Sequence, residues 1–293
     1  MFYKQRHIIS ARHFSRDDLL AVFARSDEIA QKLTTSLGRH ELSGVLRRDG
    51  VPLRAEIMFD EPSTRTMRSF REACDTLGAK WRTDTDMRVT SSVAKGESWE
   101  DTVDMAAAYG SDFLIIRHDG REPHAMKRAA DTIEAYGHKA SVISAGEGNI
   151  EHPTQMILDL YTAWRLFGDR MECGELTYAF VGDIADSRTI HSNIIALRKF
   201  GGRVYTVSSH DNDLPRKILR SCKGSAEGLE VKKVESWEAI VDEVDVWYFT
   251  RLQRERKAAE PDQEFERRYV EAYGVNDRFL SKIAKGSIIM HPL

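Results

Sequence analysis

The stretch "FDEPSTRTMRSFREA" (residues 59–73) sets Ser63, Thr64, Arg65 and Thr66 side by side directly after an apolar run. Three hydroxyls and a guanidinium bury no apolar surface. At the first turn of a helix, where backbone N–H groups lack intrahelical partners, they form a cradle of donors for an oxyanion such as phosphate. The competing reading is a helix cap with polar neighbours. In "GNIEHPTQMILDL" (148–160), His152 and Gln155 stand at a helix start opened by Pro153, and proline suits the first helical position. A histidine there is disfavoured as a cation by the helix dipole and can donate one hydrogen bond, or it only caps. The segment "WYFTRLQRER" (247–256) projects Arg251, Gln253 and Arg256 past a strand, a donor set suited to carboxylates unless it is a solvated charge run. Arg188 opens the helix that follows "GDIADS", and Lys95 sits on the Ser- and Gly-bearing loop "SSVAKGES", which taken alone reads rather as a solvated loop.

The elements that must position these groups alternate along the chain. Ser15 is an N-cap before a first helix, with Asp17 and Asp18 in its first turn and Leu19, Leu20, Val22, Phe23 and Ile29 on its apolar face. Strand-like runs follow at "LRAEIMF", "SDFLIIR", "KASVIS", "LTYAFVGD", "GRVYTVS", "LEVKKV", "VDVWYFT" and "GSIIMHPL", with helical segments between most of them. The pattern predicts an α/β fold of two domains, each a parallel sheet flanked by helices. Ligands in such sheets sit at the carboxyl ends of the strands, where "DEPSTRT", "RHDGREPH", "GDIADSRT" and "TRLQRER" all fall. The helical stretch 154–168 links the halves, dividing the chain into residues 1–165 and 166–293, with a rigid hinge expected because no Pro/Ser-rich tether is visible.

Bulk properties narrow the function. The hydrophobic fraction of 41% and charged fraction of 30% are those of an ordinary globular protein. A net charge of −3, from 43 basic and 46 acidic residues without a block of one sign, argues against a general nucleic-acid surface. Cys74, Cys173 and Cys222 form no CxxC and are odd in number, so neither a disulfide framework nor a cysteine zinc cluster is expected. No signal-peptide core and no apolar window of the ~20 residues a membrane helix needs is present, so a soluble cytoplasmic protein with no membrane partner is expected. Neither GxGxxG nor GxxxxGK[ST] occurs, which disfavours a dinucleotide or NTP site.

Taken in order, "RHIISARHFSRDDL", "EPSTRT", "KGES", "IIRH", "HPTQ", "GDIADSRTIHS", "TRLQRER" and the final "HPL" resemble the transcarbamoylase family over essentially the whole chain. "STRT" and "HPTQ" carry the family, while "KGES" and "TRLQRER" point to its aspartate branch; the ornithine branch's "SMG" and "HCLP" are absent. The resemblance implies transfer of a carbamoyl group from carbamoyl phosphate to the amine of L-aspartate, the committed step towards pyrimidines, with no cofactor and no metal. It implies that Ser63, Thr64, Arg65, Thr66 and Arg117 hold the phosphate, and that Thr66, Arg117 and His152 face the carbonyl oxygen. Gln155 and the backbone carbonyl of Pro292 would bind the carbamoyl nitrogen; Arg188, Arg251 and Gln253 would grip the aspartate carboxylates. Ser91 and Lys95 would reach in from a neighbouring subunit of a homotrimer with shared active sites, and a domain closure would bring the two halves' donors together.

The resemblance also implies possible partners in a regulatory chain or other pathway enzymes. Met67 stands where the family commonly has an arginine, removing one charge beside the loop. Family chains continue beyond "HPL" with "PR" and about two more helices, which places the terminal carboxylate of Leu293 where a substrate-binding carbonyl is expected. A transcarbamoylase with another amine acceptor and a non-catalytic paralogue are the alternative readings.

Overall fold

The computed structural model describes residues 6–85, 87, 96–122, 124–209, 212–222, 228–253 and 263–292. Among them are the strands β1 (Arg47–Arg48), β2 (Val51–Pro52), β3 (Arg54–Phe59), β4 (Lys80–Thr85), β5 (Phe113–His118), β6 (Ser141–Glu147), β7 (Thr177–Val181), β8 (Arg203–Val207), β9 (Glu230–Val234), β10 (Val246–Phe249) and β11 (Ile288–Met290). The chain forms two compact units, one reaching to Thr154 and the other spanning Gln155–Pro292.

The first unit is built on a parallel sheet ordered β4-β3-β5-β6. β3 is buried from Ala55 to Phe59 and sends alternate side chains to opposite faces. Ala55, Ile57 and Phe59 pack with Ile115, Ala145 and Cys74 on one side. Met58 joins Trp99, Val103, Leu114, Ile116, Met126 and Ile133 on the other. Such two-sided burial is why this strand reads as a continuous apolar run. The predicted Ser15 cap is present as a capping box with Asp18, ahead of the helix Arg16–Lys32, which buries Leu19 and Phe23 one turn apart. The helix Thr64–Leu77 stops at Gly78, whose φ of 83° is a left-handed conformation and whose Cβ, if present, would lie 1.8 Å from the Ser43 carbonyl oxygen.

All eight strand-like runs of the sequence form strands. Two features were not anticipated: the short antiparallel β1–β2 pair and β4. β4 carries "KWRTDT" on the sheet's edge and is largely exposed, so it offers no apolar signal.

The second unit carries a parallel sheet ordered β11-β10-β7-β8-β9. One face packs Ala179, Val181, Tyr205, Val207, Trp247 and Phe249 against Trp237 and Phe279. The helix Arg188–Leu197 has every one of its residues buried, Arg188 included. No helix among the described residues is long and apolar enough to cross a membrane.

Candidate active site

In each unit the strand order reverses once. The first sheet grows outward from β3 to β4 and then from β5 to β6, so β3 and β5 flank the reversal. In the second, β7 leads to β8 and β9 on one side while β10 and β11 lie on the other, so β7 and β10 flank it. Open α/β sheets bind ligands just beyond the carboxyl ends of the strands at such a point.

Beyond β3 lies the "STRT" turn. Ser63 is the N-cap of the helix Thr64–Leu77, yet its hydroxyl makes no capping bond, and the first turn holds no acidic residue. Another helix of this unit, Ala125–Ala135, differs, since the Glu147 carboxylate takes backbone N–H groups of Ala125 and Met126 at its start. Capping alone therefore does not account for "STRT". Arg65 is exposed and Thr66 half-buried, on adjacent positions of that turn.

Near the carboxyl end of β5, Arg117 pairs with Phe59 in the sheet register, and its carbonyl accepts the Asp60 N–H at 2.9 Å. The first-turn hydroxyls and this guanidinium thus stand at the ends of adjacent strands. Arg117 Nη2 lies 2.7 Å from Glu61 Oε1, and Nη1 donates to the Ala145 carbonyl at 3.4 Å. The Glu61 carboxylate shows that the position attracts an anion; sequence reading passed over Glu61 although it stands two residues before Ser63.

His152 reaches the same end of the sheet through the loop after β6. Glu147 N–H donates to the Glu151 carbonyl, and the Glu151 carboxylate accepts from Ser10 Oγ at 2.9 Å and Ala11 N–H at 2.7 Å. The amino-terminal segment thereby clamps the residue next to His152. The ring is 5% exposed, with Nδ1 3.3 Å from Thr154 Oγ1, which is also 3.3 Å from the Ser144 carbonyl. The hydroxyl has one proton for these two acceptors. If Nδ1 receives it, the neutral ring carries its own proton on Nε2 and can donate to a carbonyl oxygen.

Two glycines let these loops meet. Gly148 has φ 46°, and a Cβ on it would lie 2.9 Å from the Gly120 Cα and 3.0 Å from the Asp119 carbonyl oxygen. Gly148→Ala is therefore expected to cost about 2 kcal/mol of stability, read by urea unfolding, through left-handed strain plus backbone crowding. An unchanged unfolding midpoint would show that the two loops can part freely.

Asp60, His118 and Asp119 form the cluster here with the spacing of metal ligands. Its geometry is not a cage for one ion. Asp60 Oδ2 lies 3.3 Å from His118 Nε2, whereas Asp119 Oδ1 lies 3.8 Å from Nδ1, and the Gly120 N–H donates to Nδ1 at 3.0 Å. The two carboxylates face different ring nitrogens whose lone pairs diverge, and the Gly120 bond puts the neutral ring's proton on Nε2, aimed at Asp60.

In the second unit, Gly182 and Asp183 follow β7. Asp183 is fully buried; its carboxylate accepts from Asn212 Nδ2 and from the Gln253 backbone N–H, each at 3.0 Å, and its own N–H donates to Thr250 Oγ1 at 3.1 Å. The turn after β7 therefore holds the segment after β10. Arg251 is exposed with Nη1 donating to the Leu252 carbonyl, and Gln253 is half-buried. Arg188 is 8% exposed behind the N-cap Ser187. Pro292 lies two residues past β11, and its carbonyl oxygen is 2.6 Å from His291 Nδ1. Ser91, Lys95, Arg256 and Leu293 lie outside the described residues.

Gln155, 4% exposed, donates from Nε2 to Asp159 Oδ1 at 2.9 Å. Asp159 also accepts from Asn193 and Tyr248; burial pushes its carboxyl up to about 6, partly offset by these three bonds. Sequence reading did not single out Asp159. The available signal was its place four residues after Gln155, on one helix face.

The structure thus places Ser63, Thr64, Arg65, Thr66, Arg117 and His152 at or beyond the carboxyl ends of β3, β5 and β6 in the first unit. Arg188, Arg251 and Gln253 follow β7 and β10 in the second.

Comparison with known proteins gives this geometry a lineage. Residues 6–165 match the family described as aspartate/ornithine carbamoyltransferase, carbamoyl-P binding domain, and residues 174–293 match its Asp/Orn binding domain. The chain belongs to the aspartate/ornithine carbamoyltransferase family. Within the family it is 36% identical to the aspartate carbamoyltransferase catalytic subunit of Thermoplasma acidophilum, over 99% of this chain and 87% of that one. The catalytic subunit of M. jannaschii aspartate transcarbamoylase is similar in structure, with a TM-score of 0.80 and 33% identity over 99% of this chain and 86% of that one. Aspartate transcarbamoylase from Trypanosoma cruzi, solved with carbamoyl phosphate and aspartate, gives a TM-score of 0.84 at 26% identity over the same shares.

Proposed function

We propose that the chain is an aspartate carbamoyltransferase, converting carbamoyl phosphate and L-aspartate into N-carbamoyl-L-aspartate and phosphate, the committed step of de novo pyrimidine biosynthesis. The observation that carries the reading is the pairing of basic side chains with each strand-order reversal: Arg65 after β3 and Arg117 near the carboxyl end of β5, Arg188 and Arg251 after β7 and β10. The near-full-length likeness to aspartate carbamoyltransferase catalytic subunits supports aspartate over ornithine as the acceptor.

The aspartate amine attacks the carbonyl carbon, a tetrahedral oxyanion forms, and the C–O bond to phosphate breaks as the amine loses its proton. Such a reaction chiefly needs donors aimed at growing negative charge. Ser63, Thr64, Arg65 and Thr66 hold the phosphate with Arg117; Thr66, Arg117 and His152 serve the carbonyl oxygen. Gln155 and the Pro292 carbonyl take the carbamoyl nitrogen, while Arg188, Arg251 and Gln253 take the carboxylates. Glu61 is then the group that phosphate displaces from Arg117. Two like unit charges 4 Å apart repel by about 4 kcal/mol at an effective dielectric near 20, which these cations offset. The working form is a cytoplasmic homotrimer in which Ser91 and Lys95 of one subunit serve the next.

An assay of the purified chain with carbamoyl phosphate and a panel of amines tests the reading. Carbamoyl aspartate is the expected product, and a native mass of three chains is expected beside it. Citrulline from ornithine, or no product with any amine, would overturn the assignment.

A further inference from the structure

Asp159 has a task beyond filling its site. Its two oxygens are divided: Oδ1 accepts from Gln155 Nε2 at 2.9 Å, and Oδ2 accepts from Asn193 Nδ2 at 2.8 Å and Tyr248 Oη at 2.7 Å. The donors come from its own helix, from the helix opened by Arg188 and from the strand that leads to Arg251. The side chain is 6% exposed. A buried carboxylate is costly to desolvate, and a neutral side chain of the same size would fill the space more cheaply. What only the carboxylate offers at that size is acceptors without a donor.

We propose that Asp159 is a positioning residue that sets which end of the Gln155 amide is presented to substrate. The two ends of a glutamine amide are nearly identical in shape, so packing does not distinguish them; a neighbour that only accepts does. With Nε2 turned to Asp159, Oε1 is the end offered for recognition. A carbamoyl nitrogen carries N–H donors, so it is recognised only by that end. The inference rests on the proposed role of Gln155 towards the carbamoyl group.

Asp159→Asn tests it, because asparagine supplies one acceptor and one donor. Keeping the bonds from Asn193 and Tyr248 places the asparagine oxygen on their side, so the new amide N–H faces Gln155, which then turns over and presents Nε2–H to the carbamoyl N–H. The dissociation constant for carbamoyl phosphate, measured by calorimetry on the intact protein, is expected to rise about tenfold or more, while that for inorganic phosphate changes by less than about twofold. In a Gln155→Ala background the same substitution should add less than about twofold. Unchanged carbamoyl phosphate affinity, a parallel loss for inorganic phosphate, or full additivity with Gln155→Ala would each overturn the proposal. Failure of the unsubstituted protein to bind carbamoyl phosphate would instead remove the functional reading, and this inference with it.

A measurement on the unsubstituted protein covers the case in which Asp159→Asn does not fold. The Gln155 side-chain amide resonance, identified by its loss in Gln155→Ala, should move with a midpoint at about pH 6 as the carboxyl titrates. Among the described residues the titratable groups felt electrostatically across this carboxyl are Tyr248 and Tyr178, whose phenols burial holds neutral far above that range. A resonance that does not move at all as this carboxyl, raised above the ordinary range by burial, titrates would contradict the contact.

Discussion

Arg65→Ala is expected to lower kcat/KM for carbamoyl transfer by about two to three orders of magnitude while leaving the fold intact. The guanidinium is exposed at the second residue of the helix Thr64–Leu77 and supports no core contact. Alanine is the best helix former, so stability should change by less than about 0.5 kcal/mol. The whole loss then falls on a donor that phosphate needs as charge moves onto it. Arg65→Lys restores the charge without the planar fork and should recover part of the rate. Steady-state kinetics beside a thermal melt separate these cases. A purified Arg65→Ala protein turning over at a near-normal rate would contradict the phosphate assignment.

Phe279→Ala should act in the opposite manner, on stability first. Phe279 is fully buried and stands nearly perpendicular to three rings, with centroids 4.9 Å from Trp247 and 5.1 Å from both Phe249 and Trp237. It comes from the short helix Asp277–Leu280, capped by Asn276, and closes one face of the second sheet. Removing the ring loses its transfer free energy and leaves a cavity that rigid aromatic neighbours cannot fill. A loss of about 3–5 kcal/mol follows, measured by denaturant unfolding. Phe279→Leu should cost markedly less, and a Phe279→Ala loss below about 1 kcal/mol would mean that the aromatic cluster is not what closes this face.

Much of this molecule is legible before folding, and the reason is burial. β3, β7 and β10 lie inside their sheets, so "RAEIMF", "TYAFV" and "VWYF" carry an apolar signal that no tertiary context has to supply. β4 is an edge, and "KWRTDT" answers to solvent as much as to its neighbour β3. The chemical groups were legible for a different reason: "STRT", "HPTQ" and "TRLQRER" concentrate donors where apolar runs end. Glu61, Asp159 and Asp183 escaped notice as site residues because a carboxylate's role depends on which donor faces it. Only folding brings Tyr248 and Asn193 to Asp159, or Gln253 to Asp183.

The two arginines assigned to the acceptor are held very differently. Arg188 opens a helix with all its residues buried, whereas Arg251 stands exposed on a short segment fastened through Asp183 and Thr250. Retargeting the protein to a new amine is therefore a problem of unequal freedom. On the proposed roles, a library confined to positions 251–253 varies exposed and half-buried side chains, while any change at position 188 falls within a buried helix.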